Sequence, residues 1–171
     1  MIRSLGDRVP RIHPTAFVSE AAYVVGDVEI GEGSSVWPGT IIRGNNHKIK
    51  LGKFVNIQDN CVVHADSDAT YGDYVTLGHH VICHAKTVET YTLIGNGAVV
   101  NGDAVIGHHS IVAAGSVVME RAEMPPNSFI VGAPAEVRRP VTERHLQMVE
   151  RIPQGYYRNG QLFKEAGLQD P

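Results

Sequence analysis

Large β-branched residues recur along this chain at a constant step. Ile94, Val100, Ile106, Val112 and Val118 stand six residues apart, and all but the last precede a small or polar residue: Gly95, Asn101, Gly107 and Ala113, with Met119 the exception. Ala98, Ala104, Ser110 and Ser116 follow the first four at a distance of four. Upstream the same step links Ile30, Val36 and Ile42, then Leu51, Ile57 and Val63, then Tyr71, Leu77 and Cys83. A hexad with one large and one small inward position, and Gly or Asn where the backbone turns, forms one side of a triangular coil. Ordinary alternating strands would lose register at every turn, so the persistence of the step argues for a repeat architecture.

From about Ile12 to Val131 the pattern resembles the hexapeptide-repeat family. That resemblance implies a mainly β fold: a left-handed parallel β-helix, a triangular prism with three hexads per coil. Two breaks in the step predict excursions. Between Val63 and Tyr71 the step is eight, so Ala65–Thr70 bulges as a short loop; between Ile42 and Leu51 it is nine, making Arg43–His47 a second excursion. Glu120–Asn127, with Met124-Pro125-Pro126, ends the regular repeat. The expected organisation is a β-helix domain with an N-terminal lead-in over residues 1–131, then a C-terminal segment over 132–171. In the latter, Thr142 is an N-cap candidate and Leu146, Val149 and Ile152 recur at helical spacing. The predicted helix spans about 142–151, stops at Pro153 and packs along the β-helix.

Composition narrows the functional classes. The 171 residues suit one domain with a sizeable core, and 22 Val and 13 Ile against 7 Leu favour strands. A formal charge of −3 without any Lys/Arg block leaves no basic footprint for nucleic acid. No apolar run approaches the roughly 20 residues of a membrane span, and Met1–Ala16, interrupted by Pro10 and Pro14, has no signal-peptide core. Cys61 and Cys83 are too few for a disulfide scaffold; they read as core thiols, and a reduced, cytoplasmic setting is expected.

Of nine histidines, His13, His47 and His145 stand alone and are expected to be solvated, and His108-His109 occupy turn positions. His64, His79 and His84 differ. Val63, Tyr71, Leu77 and Cys83 mark three steps, one complete coil, so His64 after Val63 and His84 after Cys83 share a face one coil apart. Neighbouring strands stack at roughly 4.8 Å, close enough for two imidazoles to share one tetrahedral metal. His79, two residues after Leu77, belongs to another side of the triangle. It would reach such a pair only on a neighbouring chain, if three prisms packed about a threefold axis. The competing reading makes all three turn histidines bonded to backbone.

The run Val36-Trp37-Pro38 to Ile42-Arg43-Gly44, then Asn56-Ile57-Gln58-Asp59, His64, Gly78-His79-His80 and His84, resembles the γ-class carbonic anhydrase family, as does Val131-Gly132-Ala133-Pro134-Ala135. The resemblance implies a homotrimer with Zn²⁺, or Fe²⁺ or Co²⁺, held between subunits by positions matching His64, His79 and His84. It also implies reversible hydration of CO₂ to bicarbonate, because water on such an ion ionises near pH 7 and the resulting hydroxide attacks the carbon. Gln58 matches the residue that hydrogen-bonds this solvent, and Arg43 and Asp59 match a pair that ties adjacent subunits together; a solvated surface ion pair is the plainer reading of the latter two.

The family's pattern is not met everywhere. Arg43-Gly44-Asn45 stands where the family commonly has Arg-Gly-Asp, and the glutamates that relay protons in the prototype match Asn46 and, in a shorter loop, about Ser67. Asp66 and Asp68 lie beside the latter. A site without a relay depends on buffer to carry protons away. Two other functions fit the repeat: an acyl- or acetyltransferase or thioesterase acting on acyl-CoA, with His79 or His109 as general base, and a trimeric assembly module that keeps its metal for structure.

Overall fold

The computed structural model describes residues 1–170. Its frame is the repeat made physical. One side of the prism stacks seven parallel strands: Phe17–Val18, Ser35–Val36, Asn56–Ile57, Thr76–Leu77, Leu93–Ile94, Ile111–Val112 and Ser128–Gly132. A second side stacks Val62–Val63, Ile82–Cys83, Val99–Val100 and Val117–Val118, and a third stacks Ala69–Tyr71, Thr87–Val88, Val105–Ile106 and Glu123–Met124. Two long strands, Tyr23–Ile30 and Ile41–Leu51, run through the corner between these two sides and join them into one sheet. The fold is therefore a three-sided parallel β-helix with one C-terminal helix.

Each hexad's large residue points into the prism. Val36, Ile57, Leu77, Ile94 and Val112 line one side, Ile42, Val63, Cys83 and Val100 the next, and Leu51, Tyr71, Val88 and Ile106 the third, all buried. Small residues such as Cys61, Ala85, Ala98 and Ala104 fill the narrow corners. The pairing Val63↔Cys83 sets one coil on the next as the step of six requires. A third irregularity lies between Cys83 and Val88, where the step shortens to five while Val88 still pairs with Tyr71.

Corners turn through left-handed backbone, which bulky residues adopt only with compensation. Phe54, Tyr74, Tyr91 and His109 all have φ between 52 and 62°. Their rings form one continuous stack, with centroids 5.3, 4.6 and 5.0 Å apart, so each strained turn gains at least one stacked aromatic neighbour, and Tyr74 and Tyr91 gain two.

The excursions differ from plain loops. Arg43–Lys48 continues a strand that pairs Val25↔Arg43 and Gly26↔Gly44. Gly26 is required there: its φ is +87°, and a Cβ would fall 2.1 Å from the Gly44 carbonyl oxygen. The excursion expected over Ala65–Thr70 narrows to Asp66–Asp68, because Ala65 and Ala69 are both buried. The coil also outlasts Pro125-Pro126: Phe129 and Ile130 stack in register on Ile111 and Val112, and Ala135–Pro140 then folds back antiparallel on Ser128–Gly132.

The helix extends beyond the predicted stop. It runs from Glu143 to Glu165 with Pro153 inside it. An interior proline costs about 3 kcal/mol, but Pro153 is buried with Val149 and Gly160 on the face that meets the sheet. Beyond it, Tyr156 and Phe163 pack edge-on against Trp37 at 5.4 and 5.0 Å, and Phe163 also meets Phe17 at 5.7 Å. Among the described residues no helix is long and apolar enough to cross a membrane.

His145 is the other correction. Rather than standing in solvent, its Nδ1 accepts the Thr142 backbone N–H at 3.1 Å at the helix start, and its ring stacks on Phe129 at 5.2 Å.

Candidate functional site

Parallel stacking brings His64 and His84 together. Val62 and Val63 pair with Ile82 and Cys83, so each histidine leaves its strand at the same edge of the same side. Their ring centroids lie 5.0 Å apart, the planes at 73°. His79 sits at the corner that precedes Ile82–Cys83, at the opposite edge of that side. Four residues separate it from His84, the first of them, His80, turning the corner with φ 59° and the rest crossing the width of that side. Among the described residues, no three His, Cys, Asp or Glu side chains of one chain converge on a point where a metal could be held.

The outer partners of the three imidazoles share a chemistry. His64 Nδ1 lies 2.7 Å from the Arg43 carbonyl oxygen. His79 Nδ1 lies 3.0 Å from Asp59 Oδ2, and His84 Nδ1 lies 3.6 Å from Asp66 Oδ2. At His64 and His79 an acceptor within hydrogen-bond distance keeps the proton on Nδ1 and leaves the Nε2 lone pair free to bind a metal, whereas Asp66 stands just beyond hydrogen-bond length from His84. The donor set therefore fits a divalent ion such as Zn²⁺, Fe²⁺ or Co²⁺. The signal for this was only partly in the sequence: Asp59 lies one coil from His79 on the grid of six, whereas the Arg43 carbonyl and Asp66 reach their histidines from the two excursions.

Gln58 is buried just after the strand Asn56–Ile57, at the corner before Asp59; its backbone N–H donates to the Leu77 carbonyl at 3.0 Å and its backbone carbonyl accepts the Thr40 hydroxyl at 2.7 Å. Arg43 and Asp59 do not meet within the chain: the Arg43 guanidinium hydrogen-bonds Asn45 Oδ1, while Asp59 engages His79. Asn45 thus occupies the guanidinium from two residues further along the same strand.

A feature not anticipated from the sequence joins the two edges. Tyr23, Ile41, Val62 and Ile82 pair in succession as an outward column, each 37–46% exposed. Val99 and Val117 continue it. The result is a contiguous, half-exposed apolar strip along one side of the prism. It was readable in principle, since each member directly precedes an inward residue of the hexad. Of the other candidate bases, His109 stacks on Tyr91 and its Nδ1 faces His108 Nδ1 at 3.0 Å; burial first, and then the neighbouring His108, hold it below the usual histidine range.

No family model matches the chain. It is 38% identical over 171 residues to a carbonic anhydrase of Geobacillus kaustophilus, covering 99% of this chain and 94% of that protein. It is 37% identical over 158 residues to the mitochondrial gamma carbonic anhydrase 1 of Arabidopsis thaliana, which involves 88% of this chain but spans only 58% of that protein's length. Among solved structures, a putative acetyltransferase of Bacillus cereus superposes with a TM-score of 0.91 at 36% identity, over 97% of this chain and 98% of the other. Near-complete coverage at such identity, together with the shared coil, leads to one assignment: the chain belongs to the γ-class carbonic anhydrase family, built on the hexapeptide-repeat β-helix.

Proposed function

We propose that the protein catalyses the reversible hydration of CO₂ to bicarbonate at a three-histidine metal site between the subunits of a homotrimer. His64 and His84 of one subunit and His79 of the next are the ligands in this reading, with Zn²⁺ as the ion and Fe²⁺ or Co²⁺ as substitutes. The observation that carries it is the placement of both half-sites at opposite edges of one apolar side. Such a surface associates head to tail, and head-to-tail contacts that close make a ring. Two buried free thiols, Cys61 and Cys83, suit the reducing cytoplasm.

A divalent ion bound by three neutral imidazoles keeps its full charge and lowers the pKa of water to about 7, which supplies a nucleophile for CO₂ at neutral pH. The chain's own residues do the rest. The Arg43 carbonyl and Asp59 fix the tautomers of His64 and His79, and the Asp66 carboxylate stands beside His84. Gln58, whose amide both donates and accepts, orients the attacking oxygen without competing for the ion. Arg43 turns from Asn45 to the neighbouring subunit's carboxylate when the interface forms. No glutamate stands at Asn46 or Ser67 to take the proton released in each turnover, so external buffer does so.

Stopped-flow CO₂ hydration on protein of known metal content tests this. The expected result is activity that rises with buffer concentration and vanishes in His64→Ala. Full metal occupancy with no hydration under any buffer would refute it. The Bacillus cereus structure keeps an acyltransferase reading in view; acyl-CoA turnover that survives chelation would favour that one.

A further inference from the structure

The loop that breaks the hexad after His64 supplies something the repeat itself does not. His79 finds its Nδ1 acceptor one coil away in Asp59, and His64 finds one in the Arg43 carbonyl. His84 has no such neighbour on the grid. The residue stacked on it from the next coil is Asn101, whose side-chain amide donates to the Val118 carbonyl at 2.7 Å. A carboxylate oxygen of Asp66 stands instead 3.6 Å from His84 Nδ1, just beyond hydrogen-bond length.

Asp66 is exposed, but its loop is held on both flanks. Ser67 Oγ donates to Asp103 Oδ1 at 2.7 Å. Asp68 Oδ1 accepts the Lys48 backbone N–H at 3.0 Å and lies 3.7 Å from His47 Nδ1. Two of the loop's three residues are thus tied to different coils, and the third points its carboxylate at His84. Fixing the loop in advance lowers the entropy that Asp66 would otherwise lose on engaging the ring.

We propose that Asp66 is the positioning residue for His84, and that the Asp66–Asp68 insertion exists to deliver its carboxylate to that ring. A small shift of the ring onto a metal closes the 3.6 Å gap, and the carboxylate then accepts the Nδ1–H hydrogen bond while Nε2 carries the lone pair a metal requires. Loss of such an outer partner lowers metal affinity by about 10- to 100-fold, and the length of this contact places the effect at the lower end. The inference rests on the metal site proposed above.

The test is Zn²⁺ affinity of the full chain, measured by competition with a chromophoric chelator, with the visible spectrum of the Co²⁺ form as a second readout. Asp66→Ala raises the Zn²⁺ Kd about tenfold and shifts the Co²⁺ bands. Asp66→Asn, which keeps an acceptor oxygen, restores most of the affinity, and Ser67→Ala, which loosens the tie to Asp103, gives a smaller shift of the same sign. An unchanged Kd and Co²⁺ spectrum in Asp66→Ala, while His79→Ala abolishes binding, would overturn this role and leave the metal site standing. Undiminished Zn²⁺ binding in His79→Ala would remove both.

Discussion

Ile82→Asp puts a charge in the middle of the apolar column, two residues from His84 and three from His79. The wild-type residue is 46% exposed in the single chain. That is about 80 Å², and covering it contributes about 2 kcal/mol per interface at roughly 25 cal/mol per Å². The substitution forfeits this and adds the desolvation of an unpaired carboxylate, a further several kcal/mol. A closed ring of three meets the penalty at every interface. Because the residue is already exposed on the prism, the isolated chain should fold as before, with unchanged circular dichroism. Sedimentation velocity should then find monomers at concentrations where the wild type sediments as the proposed trimer, and bound metal should be lost with that assembly. Leu162→Asp, on an exposed helix position away from the column, is the control. A trimeric, metal-replete Ile82→Asp protein would refute the assignment of this side as the interface.

Three further outcomes follow from local chemistry. Burial pushes the Cys61 thiol up to about 12 and raises Cys83 and Tyr71 as well, so the folded chain holds protons that the unfolded chain releases above about pH 9. Stability should fall through alkaline pH by about 1.4 kcal/mol per unit for each such group, and denaturant titrations should show a shallower fall in Cys61→Ala. His145 is held below its ordinary range by burial first and then by Arg139 and Arg144. The unfolded state therefore binds more protons below about pH 6.5, and the wild type should lose more Tm between pH 7.5 and pH 5.5 than His145→Gln, whose amide can still accept the Thr142 N–H. Gly26→Ala forces a Cβ against the Gly44 carbonyl at a positive φ. It should cost about 2–4 kcal/mol, and because Arg43 precedes Gly44, it should also weaken the metal site through His64; unchanged Tm would contradict the reading of that corner.

The hexad made the fold legible because a step of six is a constraint that every coil repeats, so one error would throw all later residues out of register. Val63 and Cys83 could be stacked on paper for that reason, and His64 and His84 with them. The helix end was not legible in the same way. Pro153, Gly155 and Gly160 are poor helix formers by themselves, and only the aromatic floor of Phe17 and Trp37, distant in sequence, makes the continuation past Pro153 favourable. His145 looked isolated for a similar reason, since its partner Phe129 lies on the last coil. The outer partners of His64 and His84 come from insertions, and insertions are where a periodic pattern carries no positional information.

The most direct test is whether one metal site needs two chains. His64→Ala and His79→Ala protomers should each fail to retain metal. Co-refolded at equal ratio, they should form mixed trimers in which a single interface pairs an intact His64 with an intact His79. Random assembly of a head-to-tail ring then restores about a quarter of the wild-type metal content and CO₂ hydration. Recovery near that level would establish a site shared between subunits. No recovery in trimers shown to be mixed, or metal retained by either variant alone, would contradict the account.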